Sequence, residues 1–185
     1  MLKKRLSYRV KRKRVDVMGK FETYIEQNGV QCKLLQKPST QETLKAHEAL
    51  RHLGYSLDPK QMIKSLVCVP LLEGRHGIDK ALLVMVSGAD RLSMNKLQTA
   101  TSYEKIVIAD PKTAEKLSGY PRGGTPPIGH DAKLAVVMDE DLSKQSVLYG
   151  GGGTTECIVE ITPLEIIRVI REIQKVELII ASIRE

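Results

Sequence analysis

Gly119-Tyr120-Pro121-Arg122-Gly123-Gly124-Thr125-Pro126-Pro127-Ile128-Gly129 is a glycine- and proline-rich loop between two apolar elements, and the rest of the chain is organised around it. Gly123 and Gly124 lack a Cβ, so the backbone there can take φ > 0 and a ligand can approach its amides closely. Pro121, Pro126 and Pro127 fix their own φ and drive the preceding residues toward extended conformations, which removes the entropy a glycine loop would otherwise keep. Two successive N–H groups in such a loop form a concavity suited to an anion or a developing oxyanion. The plainer reading of the same composition is a tight connection from helix to strand.

Working outward, Asp110-Pro111 has the form of a helix opening, carboxylate at the cap and proline at the first helical position, and Gly119 ends that helix. Beyond the loop, 133–138, 146–149 and 156–161 read as strands. Thr162-Pro163-Leu164-Glu165 is a capping box that opens a helix to Gln174, and 176–183 reads as a last strand. Upstream, 18–28 is an amphipathic helix stopped by Gly29, and 30–36 alternates as a strand. Thr40 caps a helix expected to turn Leu44, Ala49, Leu50 and Leu53 inward and to end at Gly54. The apolar segments 63–72 and 80–87 are strands joined by the hairpin-like Glu73–Gly77 connection; Ser93 caps a short helix through Thr99, and 105–109 is a further strand. Hairpin-linked strands outnumber helices. The expected fold is therefore α+β, a mixed, largely antiparallel β-sheet or open barrel with packed helices, rather than a doubly wound parallel sheet.

The chain has 185 residues, enough for one substantial core and too few for two comfortable domains. With no Trp and one Phe, Leu, Ile, Val, Met and Ala must fill that core. No apolar run approaches the roughly 18 residues of a membrane span, and the basic N-terminus lacks the apolar segment of a secretory signal. The three cysteines, Cys32, Cys68 and Cys157, are scattered and odd in number, so neither a disulfide framework nor a metal clip is indicated, and a reduced cytoplasmic protein is expected. The net charge of +7 is local: residues 1–17 carry eight Lys or Arg against Asp16 alone, and the remainder is formally neutral. That block, with Lys11, Arg12, Lys13 and Arg14 at its heart, reads as a solvated arm or as a phosphate-binding one. Met18 would equally serve as a natural start, leaving residues 1–17 as an extension of a domain over 18–185.

Lys64 is the odd residue in Met62-Ile63-Lys64-Ser65-Leu66-Val67-Cys68-Val69. It either points to solvent or supplies a partly desolvated ammonium beside a carbonyl or phosphate oxygen. His47 and His52 are five apart and miss a common helical face, so no metal is expected. No nucleophile elbow and no Ser, His, Asp constellation is present. Gly150–Gly153 fits neither the dinucleotide fingerprint nor the P-loop spacing and reads as a flexible or bulged hairpin.

Taken in order, Ile63-Lys64-Ser65-Leu66-Val67, Ser87-Gly88-Ala89-Asp90-Arg91-Leu92, the Leu117–Pro127 stretch, Val147-Leu148-Tyr149-Gly150-Gly151-Gly152 and Glu160-Ile161-Thr162-Pro163 resemble the YbaK/ProX family of aminoacyl-tRNA editing domains over about residues 20–175. The resemblance implies a hydrolase that cuts the ester between a wrong amino acid and the terminal ribose of tRNA, without cofactor, metal or covalent intermediate. It places the family lysine on Lys64 and the glycine of the G-x-x-x-P loop on Gly123, with Pro127 closing the motif and Gly124 offering a second N–H. Thr125, Gly88, Asp90, Asp139 and Gly151 are the accompanying substrate-binding candidates. Asp90 and Asp139 have plain turn roles as their alternative. Implied partners are the aminoacylated 3′ end of tRNA and a synthetase, and no membrane. Where many relatives carry an aromatic or histidine after the first core strand, this chain has Gln36-Lys37-Pro38-Ser39-Thr40, which leaves the amino acid open among small ones such as alanine, serine and cysteine. Two rival readings are a non-catalytic tRNA-binding or synthetase-associated module and an unrelated small-molecule enzyme with the same anion-holding loop.

Overall fold

The computed structural model describes residues 19–37 and 46–185. The basic arm with Lys11, Arg12, Lys13 and Arg14, the alternative start Met18, and the expected cap Thr40 and core residue Leu44 lie outside the described residues.

The elements in chain order are α1 (Lys20–Asn28), β1 (Cys32–Gln36), α2 (Ala46–His52), β2 (Ile63–Leu72), β3 (Arg75–His76), β4 (Leu82–Ser87), α3 (Met94–Thr101), β5 (Ile106–Ile108), α4 (Pro111–Ser118), β6 (Ala135–Asp139), α5 (Glu140–Ser143), β7 (Leu148–Gly151), β8 (Cys157–Ile161), α6 (Pro163–Arg168) and β9 (Leu178–Ala181). They build two sheets. The larger runs β3-β2-β4-β6-β9, with β5 also pairing β2; the smaller is β1-β8-β7. Pairing is antiparallel throughout the small sheet and around β2, and parallel at β4–β6 and β6–β9. The mixed sheet with packed helices is thus the architecture expected.

β4 shows why. All six of its residues are buried, the signature of a strand covered on both faces. Leu83 and Met85 face a core shared with Phe21, Val136, Met138, Leu148, Val159 and Ile166, between the two sheets. Leu82 and Val84 face the opposite side, where Leu97 of α3 and Ile183 close a second cluster. A third cluster seats Ala49 and Leu50 of α2 on Tyr149 and Ile158 of the small sheet. A parallel bridge between Met62 and Tyr149 joins the small sheet to the start of β2.

The local signals largely hold. Asp110 accepts from the Thr113 amide at 3.1 Å, and Gly119 closes α4 at φ +78°. Gly29 closes α1 at φ +58°. Four expectations need correction. Leu53 is 41% exposed rather than inward, because α2 ends one residue earlier and the chain turns away through Gly54. Thr162 does cap α6 by accepting from Glu165, but Glu165 does not return the bond; its carboxylate binds the Gln31 amide and Arg168 instead. The helix from Thr162 changes character midway, with Val169–Gln174 forming a π-helical continuation. Finally, the glycine run does lie in a hairpin, but only Gly152 and Gly153 fall in its connection; Gly150 and Gly151 belong to β7 and pair with Val159 and Ile158.

Candidate active site

A cavity of about 530 Å³ opens where β2, the end of β5, α4, the Gly119–Pro127 loop and the end of β7 meet. Ile63–Val67 form its floor. Ala109, Ala114 and Tyr120 supply apolar wall, Glu115 and Arg122 are exposed in it, and Gly123, Thr125 and Gly151 complete the lining. The size suits a small organic group.

Lys64 is half-buried at the start of β2, opposite Val86, and its Nζ donates to the backbone carbonyl of Asp90. Asp90 therefore reaches the lysine through its main chain, not its carboxylate. Gly88 makes that approach possible: its amide donates to the Met62 carbonyl at 2.6 Å, and a Cβ there would stand 2.8 Å from Cβ of Met62.

The loop is a held object. Gly123 sits at φ +83° as third residue of a turn closed by the Gly124 amide on the Pro121 carbonyl at 2.9 Å, a conformation that glycine takes without strain. The Gly124 carbonyl accepts in turn from the Gly153 amide at 2.9 Å. The two glycine stretches that sequence reading kept apart thus form one backbone-bonded unit. Gly151 lies under the loop so closely that a Cβ would press the Thr125 carbonyl oxygen and come within 2.6 Å of the Gly124 carbonyl carbon. Pro127 packs against Gly150 and does not line the cavity. The far end of the loop is pinned by His130, whose Nε2–H donates to the Pro126 carbonyl at 2.9 Å; burial pushes this imidazole down to about 4. Tyr120 is fixed by its hydroxyl on the Gly129 carbonyl at 2.8 Å and by an edge-on contact with Phe21, and burial holds its phenol well above the ordinary range. Lys20 of α1 braces the same turn through Asp131 at 2.6 Å and the Gly119 carbonyl at 3.2 Å.

Two expected site residues are placed differently. The Gly124 amide, expected as the second oxyanion donor, is spent inside the turn, whereas those of Gly123 and Thr125 have no hydrogen-bond partner among the described residues. Asp139 is fully buried at the end of β6, away from the cavity lining. It caps α5 through the Asp141 amide at 3.0 Å, accepts the Ile183 amide at 3.0 Å and binds Arg184 at 2.9 Å, so it fastens the C-terminal segment. Sequence reading gave no role to Ser65 or Glu115, both of which line the cavity. A polar residue next to Lys64 in an apolar strand was the available signal for Ser65; nothing local marks Glu115.

Burial pushes the Cys68 thiol up to about 12 and Cys32 to about 11, so neither offers a ready thiolate. Among the described residues no three His, Cys, Asp or Glu side chains gather as a metal site, and no helix is long and apolar enough to cross a membrane.

The loop, the lysine strand and the glycine run also coincide with likeness to known proteins. A family model described as "Aminoacyl-tRNA editing domain" matches residues 40–169. The chain is 24% identical over 139 residues to "Putative Cys-tRNA(Pro)/Cys-tRNA(Cys) deacylase EbsC" of Enterococcus faecalis, covering 75% of this chain and 80% of that protein. It is 28% identical over 108 residues to a proline–tRNA ligase of Limosilactobacillus fermentum, covering 58% of this chain and 18% of the ligase. A solved structure described as "a putative trans-editing enzyme for prolyl tRNA synthetase" superposes with a TM-score of 0.70 at 27% identity, covering 90% of this chain and 95% of that one. Since the family match spans most of the chain and includes β2, α4, the loop and the glycine run, the chain belongs to the aminoacyl-tRNA editing domain family.

Proposed function

We propose that this chain is a metal-independent aminoacyl-tRNA deacylase that clears mischarged tRNA using Lys64 and the Gly123 loop. The observation that carries the reading is the convergence of the Lys64 strand, the open Gly123 amide and the braced loop on one cavity. The ester carbonyl lies against the Gly123 amide, with the Thr125 amide as second donor in place of Gly124. Lys64, steadied by the Asp90 carbonyl, presents its remaining donors to the ribose or carbonyl oxygen. Water, oriented by the neighbouring ribose hydroxyl, adds to the ester carbon. The tetrahedral oxyanion collapses, the C–O bond to the ribose breaks, and the leaving ribose oxygen takes up the proton given up by the attacking water; free amino acid and tRNA leave.

Such a site works by holding donors where charge develops, and losing one typically costs about 100- to 1,000-fold in rate. The apolar wall of Ala109 and Ala114 suits a small side chain, and size exclusion against one methylene yields only about 10- to 200-fold. Names of the relatives point to cysteinyl and prolyl-acceptor tRNA as the first substrates to try and to a synthetase as partner; the cytoplasm is the compartment we infer for that role. Asp90, Gly88, Thr125, Gly151 and Pro127 act by shaping the site, and Lys11, Arg12, Lys13 and Arg14 grip phosphate.

Deacylation of alanyl-, seryl- and cysteinyl-tRNA on noncognate acceptors, with wild type and Lys64→Ala in parallel, tests this. One or two substrates should be cleaved by wild type, with loss of at least about 100-fold in the variant. Undiminished cleavage by Lys64→Ala removes the lysine from the mechanism, and tRNA binding without any turnover removes the enzyme.

A further inference from the structure

One edge of β2 is left open between two neighbouring strands. Toward β4 the register runs unbroken from Ile63 with Ser87 to Cys68 with Leu82. On that side Met62 accepts from the Gly88 amide, so the even-numbered residues 62–68 turn their backbone groups to β4. Alternation turns those of Ile63, Ser65 and Val67 the other way. There Val67 accepts from the Ala109 amide at 2.9 Å, β5 begins pairing at Cys68, and the Met62–Tyr149 bridge brings β7 alongside.

Between those two flanks stands Ser65. The alternation turns its amide and carbonyl away from β4, no turn or loop amide or carbonyl among the described residues meets them, its hydroxyl is buried and unpartnered, and it forms part of the cavity floor. An open lane one strand wide is a hydrogen-bonding template for any extended group of matching polarity. From α4, Glu115 faces the same cavity, exposed and without an ion pair among the described residues. Lys64, Arg122 and the loop amides all offer donors; among the described residues the Glu115 carboxylate is the one anionic group in the lining, and the Ser65 carbonyl is an acceptor on the cavity floor.

We infer that the Ser65 carbonyl and the Glu115 carboxylate together hold the free α-ammonium of the aminoacyl group, so that the enzyme acts on esters with an unmodified amino group and spares N-acylated ones such as peptidyl-tRNA. This rests on the deacylase reading above and adds what the site reads. An ammonium carries three donors and a charge that an open carbonyl and a carboxylate both complement. N-acylation removes the charge and two donors and adds bulk to a lane closed on both flanks.

The test uses wild type and Glu115→Gln on three forms of one substrate: the aminoacyl-tRNA that wild type clears fastest, its N-acetyl derivative, and its α-hydroxy counterpart made by deamination with nitrous acid. Each rate is divided by that ester's spontaneous hydrolysis. For wild type the hydroxy ester, similar in size but uncharged, should be about 10- to 100-fold poorer in kcat/KM, mainly through KM, the range expected for a charge-assisted bond. The N-acetyl ester should be poorer still. Glu115→Gln should lose efficiency chiefly on the amino ester, contracting the preference for amino over hydroxy toward unity. Equal normalised rates on the three esters overturn the inference while leaving the deacylase reading intact, as does a Glu115→Gln variant that slows all three alike. No cleavage of the aminoacyl ester defeats both.

Discussion

Gly151→Ala should inactivate the enzyme without unfolding it. The new methyl would lie 2.6 Å from the Gly124 carbonyl carbon and 2.7 Å from its oxygen, besides pressing the Thr125 oxygen. These are backbone atoms, not the tips of side chains, and ordinary contact begins at 3.4 Å, so the loop must retreat by about 1 Å to clear the nearest of them, the Thr125 oxygen. Overpacking of this kind costs about 1–3 kcal/mol. For a chain of this size each kcal/mol lowers Tm by roughly 2–4 °C. A displacement near 1 Å in a group that positions the reacting ester costs on the order of 100-fold in rate. Gly150→Ala is the control, since its methyl would meet Ile63 at 3.5 Å and Pro127 at 3.6 Å, both ordinary contacts. Single-turnover deacylation and thermal melts of the three proteins decide the matter. A folded Gly151→Ala protein that cleaves at the wild-type rate refutes the idea that loop position governs catalysis.

Asp139→Ala removes the acceptor of the Ile183 amide, the α5 cap and one partner of Arg184. It should cost about 3 kcal/mol, read as a fall of about 6–12 °C in Tm, with kcat/KM of the protein that remains folded unchanged; an active-site role would instead show as lost activity at full stability. His130 is held neutral to about 4 in the folded chain, against about 6.5 when free. The unfolded chain alone takes up a proton between those values, so this contribution to stability is complete above about pH 6.5 and declines as pH falls toward 4. The urea midpoint should therefore fall across that window in wild type and fall less in His130→Gln; equal slopes in the two proteins would exclude His130 as the source.

Much was legible locally. Strand alternation, the Asp110-Pro111 opening and the glycine stops at Gly29 and Gly119 depend on neighbours within a turn or two, where residue chemistry and backbone preference act directly. Even the capping box at Thr162 was half right, failing only where Glu165 found a distant partner in the Gln31 amide. The same limit explains Gly150 and Gly151, whose composition suggested a turn although pairing with β8 and the press of the loop make them strand.

By itself, then, the sequence determined the mixed α+β class, the rigid glycine and proline loop, and Lys64 as a cation in an apolar strand, because each is a property of a short run of residues. Tertiary structure alone decided which amides the loop leaves open, that Asp139 fastens the C-terminal segment, and that Ser65 faces an empty lane in the sheet. A hydrogen-bonding group is free or spent only according to what packs beside it, and here the partners come from β4, β5, β7 and the segment around Gly153, as far along the chain as Tyr149 is from Met62.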